Sequence, residues 1–131
     1  MATRELISDD QASDQVIAVF NDIRKTRGTD TINNFWRALA HDPDELQRIW
    51  KDLKRVMGPG SLDPLTKELI YIAVSVANSC EYCVHSHTAA ASAKGMSDEQ
   101  HNEFLSVISM AAKTNHLATA LQVPLDEALK K

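Results

Sequence analysis

The sequence has no uninterrupted apolar run of the roughly eighteen residues that a membrane-spanning helix needs. Its first ten residues lack a basic segment followed by an apolar one, which argues against a secretory signal. Glycine and proline number four each among 131 residues, and there is no internal repeat, low-complexity stretch or obvious linker. These absences predict a single domain, residues 1–131, located in the cytoplasm and without a membrane partner.

An excess of positive charge is also missing. The chain has 14 lysines and arginines against 18 aspartates and glutamates, a net charge of -4. The one denser basic run, residues 51–55, alternates with apolar residues, which is typical of a solvated helix face. The charge balance therefore predicts that nucleic acid is not the main partner.

The sequence does contain the start and stop signals of helices. Asp42-Pro43-Asp44-Glu45 and Ser97-Asp98-Glu99-Gln100 are typical capping boxes, and Asp63-Pro64 is a cap followed by proline. Gly28 and Gly95 are typical of helix ends. Apolar residues recur three and four apart, and no segment shows sustained alternation. We therefore predict an all-α fold, a compact bundle of about seven helices.

Within that bundle, the pattern makes finer predictions. Gly58-Pro59-Gly60 is the one candidate sub-boundary of the chain. The helix after Pro64 is predicted to be central and wrapped on several sides, because Ile70 and Val74 are apolar beyond its main stripe. Asn78 is predicted to cap the next helix, and a break is expected near Thr114-Asn115.

The only two cysteines lie three residues apart, and a histidine follows the second by four, in the string Cys80-Glu-Tyr-Cys83-Val-His-Ser-His87. Residues three and four apart on a helix share a face, so the imidazole of His87 is predicted to lie within reach of the Cys83 thiol. Two thiols with a base one turn away form an arrangement suited to redox or nucleophilic cysteine chemistry.

Four interpretations of the cysteine pair compete. A structural disulfide across so short a loop contributes only about 2 kcal/mol. Zinc could be held by Cys80, Cys83 and His87, with Glu68 or His85 as the fourth ligand, but structural zinc sites usually draw on two separate pairs. Covalent haem needs a histidine directly after the second cysteine, where this chain has valine. A redox dithiol is favoured, and we expect no cofactor and no metal.

The residues alone leave two questions open. A helix N-terminus would favour a thiolate on Cys80, whereas a base at His87 would favour one on Cys83. Glu68 is most simply an exposed acid in the first turn of its helix. If the two helices pack antiparallel across the turn at residues 78–79, however, Glu68 lies near His87 and could orient the imidazole.

The acid, the Cys-x-x-Cys pair and the histidine between Glu68 and His87 resemble the core motif of the AhpD-like alkylhydroperoxidases, within the carboxymuconolactone decarboxylase superfamily. The resemblance covers about residues 62–95, and residues 34–41 are similar to the peroxidase-related branch. It implies an AhpD-like helical fold and a homo-oligomer, typically a trimer or hexamer, with the site near a subunit interface.

The resemblance also implies a function, the reduction of a small hydroperoxide with electrons from an external dithiol. By position, Cys83 would be the peroxidatic thiol, His87 its base, Glu68 the second member of a proton relay, and Cys80 the resolving thiol. One residue departs from the founding members, which carry a histidine directly before the second cysteine. This chain has Tyr82 there, and a phenol with a pKa of about 10 is no base near neutrality.

Two rival functions are compatible with the same sequence. A decarboxylase or lactone chemistry of the same superfamily would use His87 as acid or base, but it has no need for a cysteine pair. A zinc-stabilised helical or interaction module is the non-enzymatic rival. The other histidines are predicted to be structural or partly exposed: His41, His85, His101 and His116.

Overall fold

The computed structural model describes residues 2–130, and within that range the regular structure is helical, without strands. The α-helices are α1 (Asp14–Arg27), α2 (Asn34–Leu39), α3 (Pro43–Met57), α4 (Pro64–Ala77), α5 (Glu81–Ala93) and α6 (Asp98–Ala120). Single 3-10 turns lie at Asp9–Gln11 and Glu127–Leu129. The predicted all-α fold is confirmed, and the helix number is close to the seven expected.

The chain divides into two compact units between Pro59 and Gly60. This division falls within the Gly58-Pro59-Gly60 segment that the sequence marks as a sub-boundary. The first unit contains α1, α2 and α3, and the second contains α4, α5 and α6. The chemistry-bearing segment lies in the second unit.

The first unit is built around an apolar core shared by its three helices. Phe20 and Ile23 of α1 are fully buried, and the Trp36 and Trp50 rings meet edge to face with centroids 5.3 Å apart. The indole N–H of Trp50 donates a 2.7 Å hydrogen bond to Asp22, so the one polar atom of this ring has a partner.

The helix starts and ends follow the predicted signals. The carboxylates of Asp42 and Asp63 each accept a 3.0 Å hydrogen bond from a backbone N–H of the first helical turn. Ser97 and Gln100 form a complete capping box. Gly28 ends α1 with φ of 63°, a left-handed conformation that glycine adopts without steric cost.

Three predictions about helix ends were wrong. Helix α6 continues through Thr114-Asn115, where the Thr114 hydroxyl donates a 3.0 Å hydrogen bond to the carbonyl of Met110 instead of interrupting the helix. At the start of α5 the capping residue is Cys80, because Asn78 instead ends α4. The capping box at Asp42 is also incomplete, since the Glu45 side chain pairs with an arginine of α3.

The prediction that α4 is wrapped on several sides was also wrong for the chain as described, over residues 2–130. The buried residues of α4 are Glu68, Ile72 and Ser75, which follow one helical stripe. Ile70 and Val74 are 50% and 55% exposed. The physical reason is that α5 packs against one side of α4, which leaves the opposite apolar side uncovered.

Helix α6 is long and poorly covered. Its 23 residues correspond to about 34 Å of helix, and none of them is buried. Large apolar side chains on it are exposed: Leu105, Val107, Met110 and Leu117. Between residues 2 and 130 no helix combines the length and the apolar character that crossing a membrane requires.

Candidate active site

The site is built on a hairpin of α4 and α5. Between the two helices, Ser79 adopts a left-handed φ of 55°, and the Cys80 N–H donates a 2.9 Å hydrogen bond to the carbonyl of Ser75. Glu68, near the start of α4, meets His87, which lies at the middle of α5. The two helices therefore run antiparallel, as the sequence argument required for a contact between these two residues.

The two cysteines are joined by a disulfide, with their Cα atoms 5.3 Å apart. Cys80 caps α5, and its sulfur accepts a 3.3 Å hydrogen bond from the backbone N–H of Cys83. The structure therefore represents the oxidised form of the pair, in which neither sulfur is a thiolate available to a metal. Within residues 2–130 there is no group of three or more potential His, Cys, Asp or Glu ligands arranged around a metal position.

Glu68 is buried and directed at His87, with 4% of its surface exposed. One carboxylate oxygen lies 2.6 Å from Nδ1 of His87. The interpretation of Glu68 as an exposed first-turn acid was wrong, because Glu68 lies on the stripe of α4 that faces α5. Its contact with His87 is the one expected for an antiparallel hairpin.

The second oxygen of the Glu68 carboxylate is held by Lys94, the residue that caps the C-terminus of α5, with 2.8 Å between Nζ and Oε1. Burial raises the pKa of Glu68, but the hydrogen bonds from His87 and Lys94 and the positive charge of Lys94 outweigh burial, so its pKa is lowered. Glu68 is therefore ionised at neutral pH.

An ionised carboxylate can only accept hydrogen bonds, so Nδ1 of His87 carries the hydrogen in its contact with Glu68. In the neutral imidazole, this leaves Nε2 with a free lone pair. The ring is also held from one face by Tyr71, whose aromatic ring stacks on it with centroids 3.6 Å apart and 19° between the planes. Tautomer and ring orientation of His87 are thus both defined.

His87 lies one helical turn after Cys83 on α5. Side chains four residues apart on a helix are neighbours, with Cβ atoms about 5–6 Å apart. Cys83, His87 and Glu68 thus follow one another in space, with the histidine placed between the cysteine and the carboxylate. The hairpin brings together all four residues that the sequence predicted for the site, Cys80 included.

The other histidines, and Tyr82, the residue that differs from the founding members, either lie outside the α4–α5 hairpin or are exposed to solvent. Tyr82 is 43% exposed beside the disulfide, and His85 is exposed on α5. Nε2 of His41 is hydrogen-bonded at 2.7 Å to the carbonyl oxygen of Glu5, within the first unit. His101 is half-buried and His116 exposed, both on α6.

Sequence reasoning missed two residues that contact this site, Tyr71 and Lys94. Tyr71 follows Glu68 by three residues, and Lys94, the C-cap of α5, follows His87 by seven, so each lies on the side of its helix that carries the predicted site residue. That spacing was a usable signal, but it becomes specific only once α4 and α5 are known to pack together.

The all-α fold and the Cys-x-x-Cys segment on the α4–α5 hairpin are consistent with the family that the comparisons with known proteins identify. The chain belongs to the carboxymuconolactone decarboxylase family, whose model matches residues 44–126. Its closely matching fold makes it an AhpD-like member of that superfamily, as the resemblance implied.

Two relatives illustrate the likeness. The crystal structure of the alkylhydroperoxidase AhpD core from Rhodospirillum rubrum is 57% identical, with a TM-score of 0.97, covering 100% of this chain and 98% of that one. A protein of Paracoccus denitrificans described as uncharacterized protein 4 in the cox locus is 36% identical over 77 residues, which cover 56% of this chain and 68% of that protein.

Proposed function

We propose that this protein is a thiol-dependent peroxidase that reduces small organic hydroperoxides through a dithiol/disulfide cycle of Cys80 and Cys83. The observation that carries the proposal is the disulfide placed one helical turn before His87, whose Nδ1 is bound to an ionised Glu68. The likeness to the alkylhydroperoxidase core of Rhodospirillum rubrum supports the same reaction class.

In the first step of the proposed cycle, the Cys83 thiolate attacks one oxygen of the hydroperoxide. An S–O bond forms, the O–O bond breaks and the alcohol leaves with a proton, so Cys83 becomes a sulfenic acid. Before this attack, Nε2 of His87 takes the thiol proton, and the carboxylate of Glu68 stabilises the resulting imidazolium. The imidazolium can then return the proton to the departing alkoxide.

In the second step the Cys80 thiol attacks the sulfenic sulfur of Cys83. The S–S bond forms, the S–O bond breaks and water leaves, which gives the disulfide present in this structure. An external dithiol then reduces the disulfide by exchange and supplies the two electrons that the hydroperoxide consumed. The base next to Cys83 supports this assignment of roles over attack by Cys80.

The test starts from fully reduced protein mixed with one equivalent of cumene hydroperoxide. Free thiols should fall from two per chain to none, with one equivalent of alcohol formed and an intramolecular disulfide in the peptide map. Cys80→Ser should stop at a sulfenic acid on Cys83 that reacts with dimedone, and Cys83→Ser should lose turnover. Full peroxide turnover by Cys83→Ser would contradict the mechanism.

The base is tested with a matched pair of histidine variants on the same helix. His87→Gln should slow thiol oxidation about 100-fold, in the range found for the loss of a general base. His85→Gln, at an exposed position, should retain the wild-type rate. Lactone or decarboxylase activity that survives replacement of both cysteines would instead favour the rival lyase. Stoichiometric zinc whose removal unfolds the reduced protein would favour the structural module.

We further propose that the chain forms a homo-oligomer, a trimer or hexamer. Helix α6 buries none of its residues, although Val107 and Met110 are apolar and 63% and 60% exposed. On α4, Ile70 and Val74 form a second exposed apolar surface. Exposed apolar surface of this extent is typical of a protein–protein interface, and a second copy of this chain is the partner proposed here.

We also propose that the protein works in the cytoplasm. A dithiol that must be reduced after each turnover needs a reducing compartment with a dithiol donor. Separation of cell fractions, with detection of the protein in the cytosolic fraction, tests this location.

A further inference from the structure

The carboxylate of Glu68 has two different partners, one on each oxygen. Nδ1 of His87 is 2.6 Å from Oε2, and Nζ of Lys94 is 2.8 Å from Oε1. The Glu68 side chain is 5% exposed, whereas that of Lys94 is 37% exposed. The lysine therefore reaches from the protein surface to an acid that is almost fully removed from water.

The backbone of Lys94 is fixed by the end of α5. Its N–H donates to the carbonyl oxygens of Ala90 and Ala91, at 3.1 and 3.0 Å, and Gly95 then leaves the helix with φ of 88°. Side chains of a helix lean toward its N-terminus. At the C-cap of α5, Lys94 is thus placed to extend back over the turn that follows His87.

The charge of Lys94 affects the protonation state of Glu68, because Glu68 is a buried acid. Burial favours the protonated form of a carboxyl group, and a protonated Glu68 would donate its hydrogen to Nδ1 of His87. The ring hydrogen would then sit on Nε2, and Nε2 could no longer take a proton. A cation on the other oxygen opposes that state.

We propose that Lys94 is a positioning residue of this site, which holds Glu68 as a carboxylate and thereby keeps His87 in the tautomer that can act as a base. This inference rests on the proposed function for its effect on the reaction, but its effect on Glu68 can be measured separately. Among the described residues 2–130, the titratable groups in contact with the His87 ring are Glu68 and Tyr71, both of α4. Lys94 acts through Glu68.

Three variants of the full chain isolate the charge. Lys94→Met removes it, Lys94→Arg keeps it, and Lys51→Met removes an exposed lysine from α3 in the first unit as the matched control. Circular dichroism checks that each remains helical. Two measurements follow on every variant: an NMR titration of the Glu68 carboxyl carbon and the His87 ring in the disulfide form, and the pH dependence of peroxide-driven thiol loss in the reduced form.

Removing a nearby positive charge makes proton uptake easier, so protonation occurs at a higher pH. In Lys94→Met, the NMR midpoint for proton uptake by the Glu68–His87 pair should rise by about 1 pH unit, and the acid limb of the thiol-loss profile should move up with it. Lys94→Arg and Lys51→Met should match the wild type in both measurements.

Each alternative result overturns a defined part of the inference. An unchanged NMR midpoint in Lys94→Met, or an equal rise in Lys94→Arg, would show that the charge of Lys94 does not hold Glu68 ionised. A raised midpoint with an unchanged thiol-loss profile would remove Lys94 from the reaction. If wild-type thiols survive peroxide, the proposed peroxidase function fails, and the NMR titration still decides whether Lys94 controls Glu68.

Discussion

Replacing Glu68 by glutamine should destabilise the protein by an amount that depends on pH. The amide has nearly the same shape, so it leaves no cavity, but it carries no charge. It can accept from Nδ1 of His87 through its oxygen, while its NH₂ group then faces the ammonium of Lys94, donor against donor. The substitution therefore weakens one hydrogen bond and removes the other.

The size of the effect follows from the exposure of the two partners. The His87 side chain is 17% exposed, so changing its bond from charge-assisted to neutral should cost about 1 kcal/mol. The Lys94 side chain is 37% exposed and its ammonium group can be rehydrated, so losing this bond should cost less than about 1 kcal/mol. Together the expected destabilisation is about 1.5–2 kcal/mol at about pH 7.

The sign of the pH dependence comes from the lowered pKa of Glu68 in the folded protein. The contribution of Glu68 to stability is fully present above the unfolded pKa of about 4.3 and is lost as pH falls through the lower folded pKa. The difference between wild type and Glu68→Gln that comes from Glu68 itself should therefore be present at about pH 7 and shrink between about pH 4.5 and pH 3.

The assay is urea unfolding followed by circular dichroism at fixed protein concentration, with the disulfide intact, over that pH range. Glu103→Gln, which neutralises an exposed acid on α6, is the matched control and should change stability by less than about 0.5 kcal/mol. A destabilisation of Glu68→Gln that is absent, or that stays constant down to about pH 3, would refute the assignment of Glu68 as a buried, ionised partner.

Two further predictions concern the backbone and the assembly. Gly28→Ala should lower the free energy of unfolding in urea by about 1 kcal/mol, because φ is 63° and no atom lies within 4 Å of the added Cβ, so the loss is backbone strain alone. The control Gly60→Ala, with no left-handed φ, should lower it clearly less. Equal losses in the two variants would contradict this reasoning. Met110→Lys should shift the proposed oligomer toward monomers in sedimentation velocity, because it puts a charge on an apolar surface. The control Gln47→Lys, on α3, should not change the sedimentation. Identical sedimentation of both variants and wild type would argue against α6 as the interface.

The helix boundaries show which helix ends can be predicted from neighbouring residues alone. A cap such as Asp63 followed by proline acts within one turn, through the geometry of its own backbone, so it could be predicted from neighbouring residues alone. Thr114-Asn115 has low helix propensity, yet α6 continues through it, since a hydroxyl bonded to the preceding turn is tolerated inside a helix. Weak breakers do not decide a helix end by themselves.

The candidate site likewise combines positions that follow from local spacing with positions that depend on helix packing. Cys83 and His87 both lie on α5, four residues apart, so their position on one face depends only on helical spacing, which the sequence was sufficient to predict. The placement of Glu68 required knowledge of how α4 and α5 pack, because an acid near the start of a helix is just as compatible with an exposed position. The antiparallel packing of α4 and α5 places Glu68 in the buried position rather than the exposed one.

The sequence by itself determined the all-α fold, the helix starts at Asp42, Asp63 and Ser97, and the stripe that carries the cysteine pair and His87, since all of these depend on contacts within one turn of chain. Only the tertiary structure decided that Glu68 is buried, that its two oxygens are divided between His87 and Lys94, and that Tyr71 stacks on the imidazole. These contacts join residues 16 to 26 positions apart, and their distances depend on the packing of two helices rather than on the period of either one.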